Sequence, residues 1–148
     1  DAYEAVSWNT VFLLAGLLPL GHAVASSGTA NYVAQHLLWQ LGDVPVWTLQ
    51  ALVAILATVF SLVMSNVGAT VILVPIAISI ATVSGGDPAM FALTVAISTS
   101  NSFILPTHQV NALIIGPGDY HVVDFLRVGS IMTVIFLVVS LLMLNLVF

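Results

Sequence analysis

Five apolar stretches, each closed by turn residues or a charge and none alternating as a half-buried strand would, predict a chain of membrane-embedded helices. The first covers residues 8–25. Residues 26–45, "SSGTANYVAQHLLWQLGDVP", are mixed. Tyr32, Val33, Leu37, Leu38 and Leu41 share one face there and Trp39 can anchor among headgroups, so the segment is expected along the membrane interface. Residues 46–83 hold two apolar arms separated only by Ser65 and Asn66, in "VMSNVGAT". Asp43-Val44-Pro45 ahead of the arms and Gly85-Gly86-Asp87-Pro88 behind them are surface turns, so both outer ends belong on one membrane face and the pair reads as a helical hairpin.

Residues 88–118 are expected as a broken helix. Pro88 to Gly116 is 29 residues, roughly 43 Å as a continuous helix, too long for one crossing and too short for two with a loop. In its middle, "STSNSFILPTHQVN", nine of fourteen residues are polar and Pro106 removes a backbone donor. Unwound backbone at membrane depth is tolerated only where protein or a watery cavity satisfies it. Residues 128–148 form the final span. Arg127 at its start, under the positive-inside rule, puts the C-terminus on the extracytoplasmic side of the cytoplasmic (inner or plasma) membrane.

Composition agrees with burial in lipid. The chain is 60% hydrophobic and 5% charged, with a mean hydropathy of +1.17, where a soluble domain carries about 25% charge. Arg127 is the only basic residue and the net charge is −5, which excludes nucleic acid as a partner. The absence of cysteine excludes disulfides and thiolate chemistry. The sequence opens on Asp1 with no basic segment ahead of an apolar core, so it shows no signal peptide and reads as part of a longer protein.

The candidate chemistry lies where apolar helices should stop. Ser65-Asn66 and Ser100-Asn101 each sit at such a point, followed by Pro75 and Pro106. A helix ending inside a membrane presents carbonyls that suit a cation, and one starting there presents N–H groups that suit an anion. Ser65 or Asn66 is fitted to cap the second hairpin arm, and Thr107 or Asn111 to cap the half-helix "ALIIG". Two helix N-termini could then converge on one anion. Oxygens of Ser61, Ser65 and Asn66, with carbonyls near Thr107, are hard neutral ligands for an alkali cation. Half-helices of this kind belong to ion-coupled secondary transporters.

Plainer readings stand beside these. Ser and Thr in apolar helices commonly pack or bond back to carbonyls, and "SNVGAT" could be a surface turn. His108 is the one ionisable group in the polar run, either a satisfied imidazole or part of a pathway. His22 is expected as a packed imidazole. A hydrolase built on Ser100 and His108 lacks a neighbouring carboxylate, so no enzyme activity is expected.

"FLLAGLLPLGHAVASSG", "SNVGATVILVP", "SFILPTHQVNALIIGPGDY" and "DFLRVG" together resemble the C-terminal repeat of the divalent-anion:sodium symporter family, over nearly the whole chain. That resemblance implies an all-α membrane protein, a polytopic helical transporter repeat with a re-entrant helical hairpin and a broken transmembrane helix. It implies Na⁺-coupled symport of a divalent anion, sulfate or a dicarboxylate. Ser61, Ser65, Asn66 and Thr107 match Na⁺-binding positions, Thr107 through its carbonyl. Asn66, Val67, His108 and Asn111 fall at substrate-binding positions. Val67 stands where the family's tip threonine would be, and "THQVN" replaces Thr-Pro-Pro-Asn with one residue fewer after Pro106. The loop is closer to the Tyr-Gln-Thr-Asn version of relatives that carry soluble regulatory domains and are taken to move sulfate. Expected partners are the lipid bilayer, the anion, a preceding homologous repeat in the full-length chain and a second copy in a homodimer; no organic cofactor is expected. The rival functions are an arsenite or Na⁺/H⁺ antiporter, in which His108 would titrate, and a non-transporting membrane scaffold.

Overall fold

The computed structural model describes residues 8–42, 44–105, 117–118 and 120–148. Among the described residues six helices follow one another: α1 (Trp8–Ser26), α2 (Thr29–Leu41), α3 (Val46–Val63), α4 (Asn66–Ser84), α5 (Pro88–Ser98) and α6 (Val122–Val147). Three of them, α3, α4 and α6, are each long and apolar enough to cross a membrane. The chain is an all-α membrane protein, as its hydropathy predicts.

Between α1 and α2 the chain bends by 58°, at Gly28, whose φ of 78° lies in the left-handed region that glycine enters without strain. Helix α2 packs on the hairpin through a stripe at Ala30, Ala34, Leu37 and Leu38. Tyr32 and Leu41, grouped by the sequence with Leu37 and Leu38, instead face outward. The two alanines set the buried face because small side chains let helices approach closely, and in lipid that contact replaces the hydrophobic drive. His22 is likewise exposed rather than packed.

Helices α3 and α4 form a hairpin. Met64 and Ser65 are extended and reverse the chain within two residues. At the other end, a Cβ on Gly86 would lie 2.9 Å from Val46 Cγ1, so the two outer ends meet. Gly85 closes α4 with a φ of 75°, and Asp87 caps α5 through Ala89 N, 2.8 Å from its Oδ1. The core sits between these three helices, with Leu49, Val53 and Ala57 of α3 against Leu73, Ala77 and Ile80 of α4 and Phe91 and Val95 of α5.

Helix α1 crosses α4 at a point that proline prepares. Pro75 lies inside α4 and has no N–H, so the Val71 carbonyl four residues earlier loses its helical donor. Gly21 of α1 covers that carbonyl. A Cβ on Gly21 would fall 2.9 Å from both Val71 O and Val71 Cγ1, leaving room only for the glycine Cα–H, a weak donor to carbonyl oxygen. Gly21→Val is therefore expected to destabilise the protein by about 1–3 kcal/mol, the usual cost of overpacking. Thermal unfolding in detergent checks this, and an unchanged midpoint would remove Gly21 from the seam.

Candidate functional site

The direction of each helix follows from its polar contacts. Gln50 Nε2 donates to Thr94 Oγ1 at 3.0 Å, Thr58 Oγ1 to Ser98 O at 3.4 Å and Ser61 Oγ to Asn101 O at 3.4 Å. Both residue numbers rise together, so α3 and α5 run parallel. Helix α6 runs against them, since Thr133 Oγ1 bonds Asn101 Oδ1 at 3.1 Å while Asn145 Nδ2 bonds Gln50 Oε1 at 2.9 Å.

These contacts form two layers. The outer one is the chain Asn145 to Gln50 to Thr94, completed by Thr94 Oγ1 donating to Met90 O at 2.8 Å; none of its buried polar atoms is without a partner. The inner layer lies at the hairpin tip, where the C-terminal ends of α3 and α5 meet the N-terminal end of α4. Thr70 Oγ1, one turn into α4, is 2.8 Å from Thr99 Oγ1. Twelve residues of α6 separate Thr133 from Asn145, so the two layers are roughly 18 Å apart. Only six residues separate Thr133 from Arg127, roughly 9 Å.

Why the helices stop here is local. Ser65 caps α4, its Oγ accepting from Gly68 N at 3.1 Å, as a serine at that position favours. Helix α5 unwinds through Ser100 N to Ile97 O and Asn101 N to Ser98 O, both 3.1 Å. The released strand then lies on α6. Phe103 stacks edge-on against Phe136, their rings 5.7 Å apart, and the Phe103 carbonyl rests on Gly129, where a Cβ would be 2.6 Å from Phe103 C. A cavity of about 430 Å³ adjoins this contact, lined by Phe103, Tyr120, Asp124, Phe125, Val128, Gly129 and Met132.

The described side chains of the inner layer, Ser61, Thr70, Thr99, Asn101 and Thr133, are all neutral. Two helix C-termini bring partial negative charge and one N-terminus brings partial positive charge. No group of three or more His, Asp or Glu gathers anywhere among the described residues.

Of the residues singled out in the sequence, Ser61 is buried, Asn66 is half-buried as the first residue of α4, and Ser65 and Val67 are exposed at the tip. Ser61 lies near the end of α3 and the other three at the turn into α4. Thr107, His108 and Asn111 lie outside the described residues, and with them the second half of the broken helix. The residues that sequence reasoning passed over are Gln50, Thr58, Thr70, Thr94, Thr99, Thr133 and Asn145. A signal for some was available: Thr94, Ser98 and Asn101 recur at the spacing that puts polar groups on one helical face.

A hairpin with a polar tip, an interrupted helix ending beside it and a spanning helix alongside both define an integral membrane protein built around a buried polar site. The chain belongs to the citrate transporter (CitMHS) family, which matches residues 1–96. It is 35% identical to an uncharacterized transporter of Synechocystis over 100% of this chain and 24% of that protein. It is 32% identical to sodium-dependent high-affinity dicarboxylate transporter 3 of Caenorhabditis elegans, over 96% of this chain and 25% of the relative. With solute carrier family 13 member 2 of Homo sapiens the identity is 29%, over 96% and 24%. The chain thus spans about a quarter of the length of these relatives. They are transporters and not enzymes, in keeping with the divalent-anion:sodium symporter resemblance of the motifs.

Proposed function

We propose that this chain supplies one inverted repeat of a secondary transporter that imports a divalent anion, sulfate or a dicarboxylate, together with Na⁺ across the cytoplasmic (inner or plasma) membrane. One observation carries the reading. The bonds from Ser61 to Asn101 and from Asn101 to Thr133 hold the hairpin tip partway along α6, roughly 9 Å inside the Arg127 end. A surface turn has no need of that depth, whereas a re-entrant hairpin does. Arg127 supports a cytoplasmic start for α6, so the hairpin enters from the extracytoplasmic side.

Sodium is taken by oxygens of Ser61, Ser65 and Asn66 and by the carbonyls at the end of α3, with Thr107 contributing its carbonyl. The anion faces the N-terminus of α4, near Asn66 and Val67, with His108 and Asn111 from the broken helix. Cation and anion offset one another, since the core has no Lys or Arg. A preceding homologous repeat completes both sites, α2 lies along the membrane interface and the assembly is a homodimer. The dicarboxylate transport named for the Caenorhabditis relative supports this anion class.

The test is uptake by the intact protein in proteoliposomes. An inward Na⁺ gradient is expected to accumulate radiolabelled sulfate, succinate or citrate, and replacing external Na⁺ by K⁺ to stop it. Proton movement without any anion would instead favour the antiporter, and no Na⁺-dependent flux or stabilisation the scaffold.

A further inference from the structure

Asn101 is fully buried, and its side-chain amide nitrogen has no hydrogen-bond partner among the described residues. Its other polar groups are engaged: backbone N with Ser98 O, backbone O with Ser61 Oγ, and Oδ1 with Thr133 Oγ1. A buried donor left unpaired costs more than the bond it forgoes, and native structures keep such groups rarely. Exchanging the amide oxygen and nitrogen does not remove the orphan but only changes its kind. Thr133 decides which kind. Its hydroxyl bonds nothing else among the described residues, so its single proton goes to Oδ1, and the nitrogen with its hydrogens remains.

The position of this donor is as telling as its vacancy. Asn101 follows Thr99 by two residues, and Thr99 touches α4 one turn in from its start, through Thr70. Its backbone bond to Ser61, two residues before the end of α3, places Asn101 beside the hairpin tip from which α4 starts. It is held from two sides, by Ser61 of α3 and Thr133 of α6. Arg127 is the only Lys or Arg in the chain, so apart from His108 what this chain can offer an anion in this layer is neutral donors.

We propose that Asn101 Nδ2 donates a hydrogen bond to an oxygen of the transported oxyanion, a carboxylate or sulfate oxygen, which makes Asn101 an anion-binding residue of the interrupted helix. The assignment rests on the transporter reading above. It also gives the two solutes a shared strut. Ser61, a sodium ligand in that reading, bonds the backbone of the residue whose side chain holds the anion.

The experiment uses the intact protein in proteoliposomes, with citrate, succinate and sulfate as probes. Asn101→Leu keeps the shape and removes the donor. It is expected to raise KM for the transported anion on the order of tenfold, while stabilisation by Na⁺ alone, measured by thermal unfolding without anion, stays at the wild-type level. Asn101→Ser is the second variant should the leucine protein not fold. Thr133→Val, which frees the same side chain from α6 but leaves its nitrogen in place, is expected to change the unfolding midpoint with KM within about threefold. An unchanged KM in Asn101→Leu, or a Thr133→Val that matches it in every readout, overturns the assignment and leaves Asn101 a structural or water-bound amide. A wild-type protein that moves none of the three anions overturns the transporter reading instead.

Discussion

Replacing Gly129 by valine is expected to cost the protein its native packing. Gly129 is buried in the second turn of α6, and a Cβ there would land on the Phe103 carbonyl oxygen, 2.6 Å from Phe103 C and 2.9 Å from Ile104 Cα. All three are backbone atoms, so no side chain can rotate aside. Either α6 withdraws, breaking the Thr133 to Asn101 bond one turn further on, or the unwound strand moves and its carbonyl faces lipid. Overpacking alone costs about 1–3 kcal/mol, and an unpaired carbonyl in hydrocarbon adds several more. Size-exclusion profiles and thermal unfolding in detergent should show aggregated or strongly destabilised protein, and Gly129→Ala should lie between it and wild type. A monodisperse Gly129→Val protein with the wild-type midpoint would mean that the strand does not rest on α6.

Asn66→Ala should have the opposite profile, with stability kept and function lost. The Asn66 backbone is in use, its carbonyl accepting from Thr70 Oγ1 at 2.7 Å. Its half-buried side chain makes no hydrogen bond among the described residues. Removing it therefore takes little from the fold. Coordination of the cation by the amide oxygen is an ion–dipole contact comparable to a hydrogen bond with a charged group, about 1.5–3 kcal/mol, so the Na⁺ concentration for half-maximal uptake should rise roughly 10- to 150-fold, with the unfolding midpoint in the absence of Na⁺ unchanged. Wild-type Na⁺ dependence in Asn66→Ala proteoliposomes would take this side chain out of the cation site.

Much of this arrangement is legible in the sequence because helix ends leave strong local marks. Ser65 ahead of an apolar run announces a cap, Gly85 and Asp87-Pro88 announce a stop and a start, and the density of polar residues after Ile97 announces the unwinding of α5. What stays hidden depends on partners far away along the chain. Gln50 is a single amide in an apolar run, and nothing near it indicates that Thr94 and Asn145 will satisfy it. Gly21 has no local role, and its purpose appears only when the carbonyl freed by Pro75 is placed against it. Asn101 is visible as a Ser-Asn pair, but the hydroxyl of Thr133, which decides what its amide has to spare, belongs to another helix. Tyr32 and Leu41 show the limit of periodicity, which predicts a face but not whether small or large residues will be chosen to bury it.

The outer polar layer has a consequence for biosynthesis. When α3 leaves the ribosome its Gln50 amide enters a membrane with nothing to bond, and transfer of an unpaired amide into hydrocarbon is costly. Thr94 arrives 44 residues later, Asn145 95 residues later. At about 5–20 residues per second of synthesis the second interval is roughly 5–20 s. Until α6 is made, the hairpin has reason to linger in the headgroup region or the insertion machinery rather than settle. Its final seating therefore waits on α6, and a chain truncated within α6 would leave the Gln50 amide oxygen without its Asn145 partner.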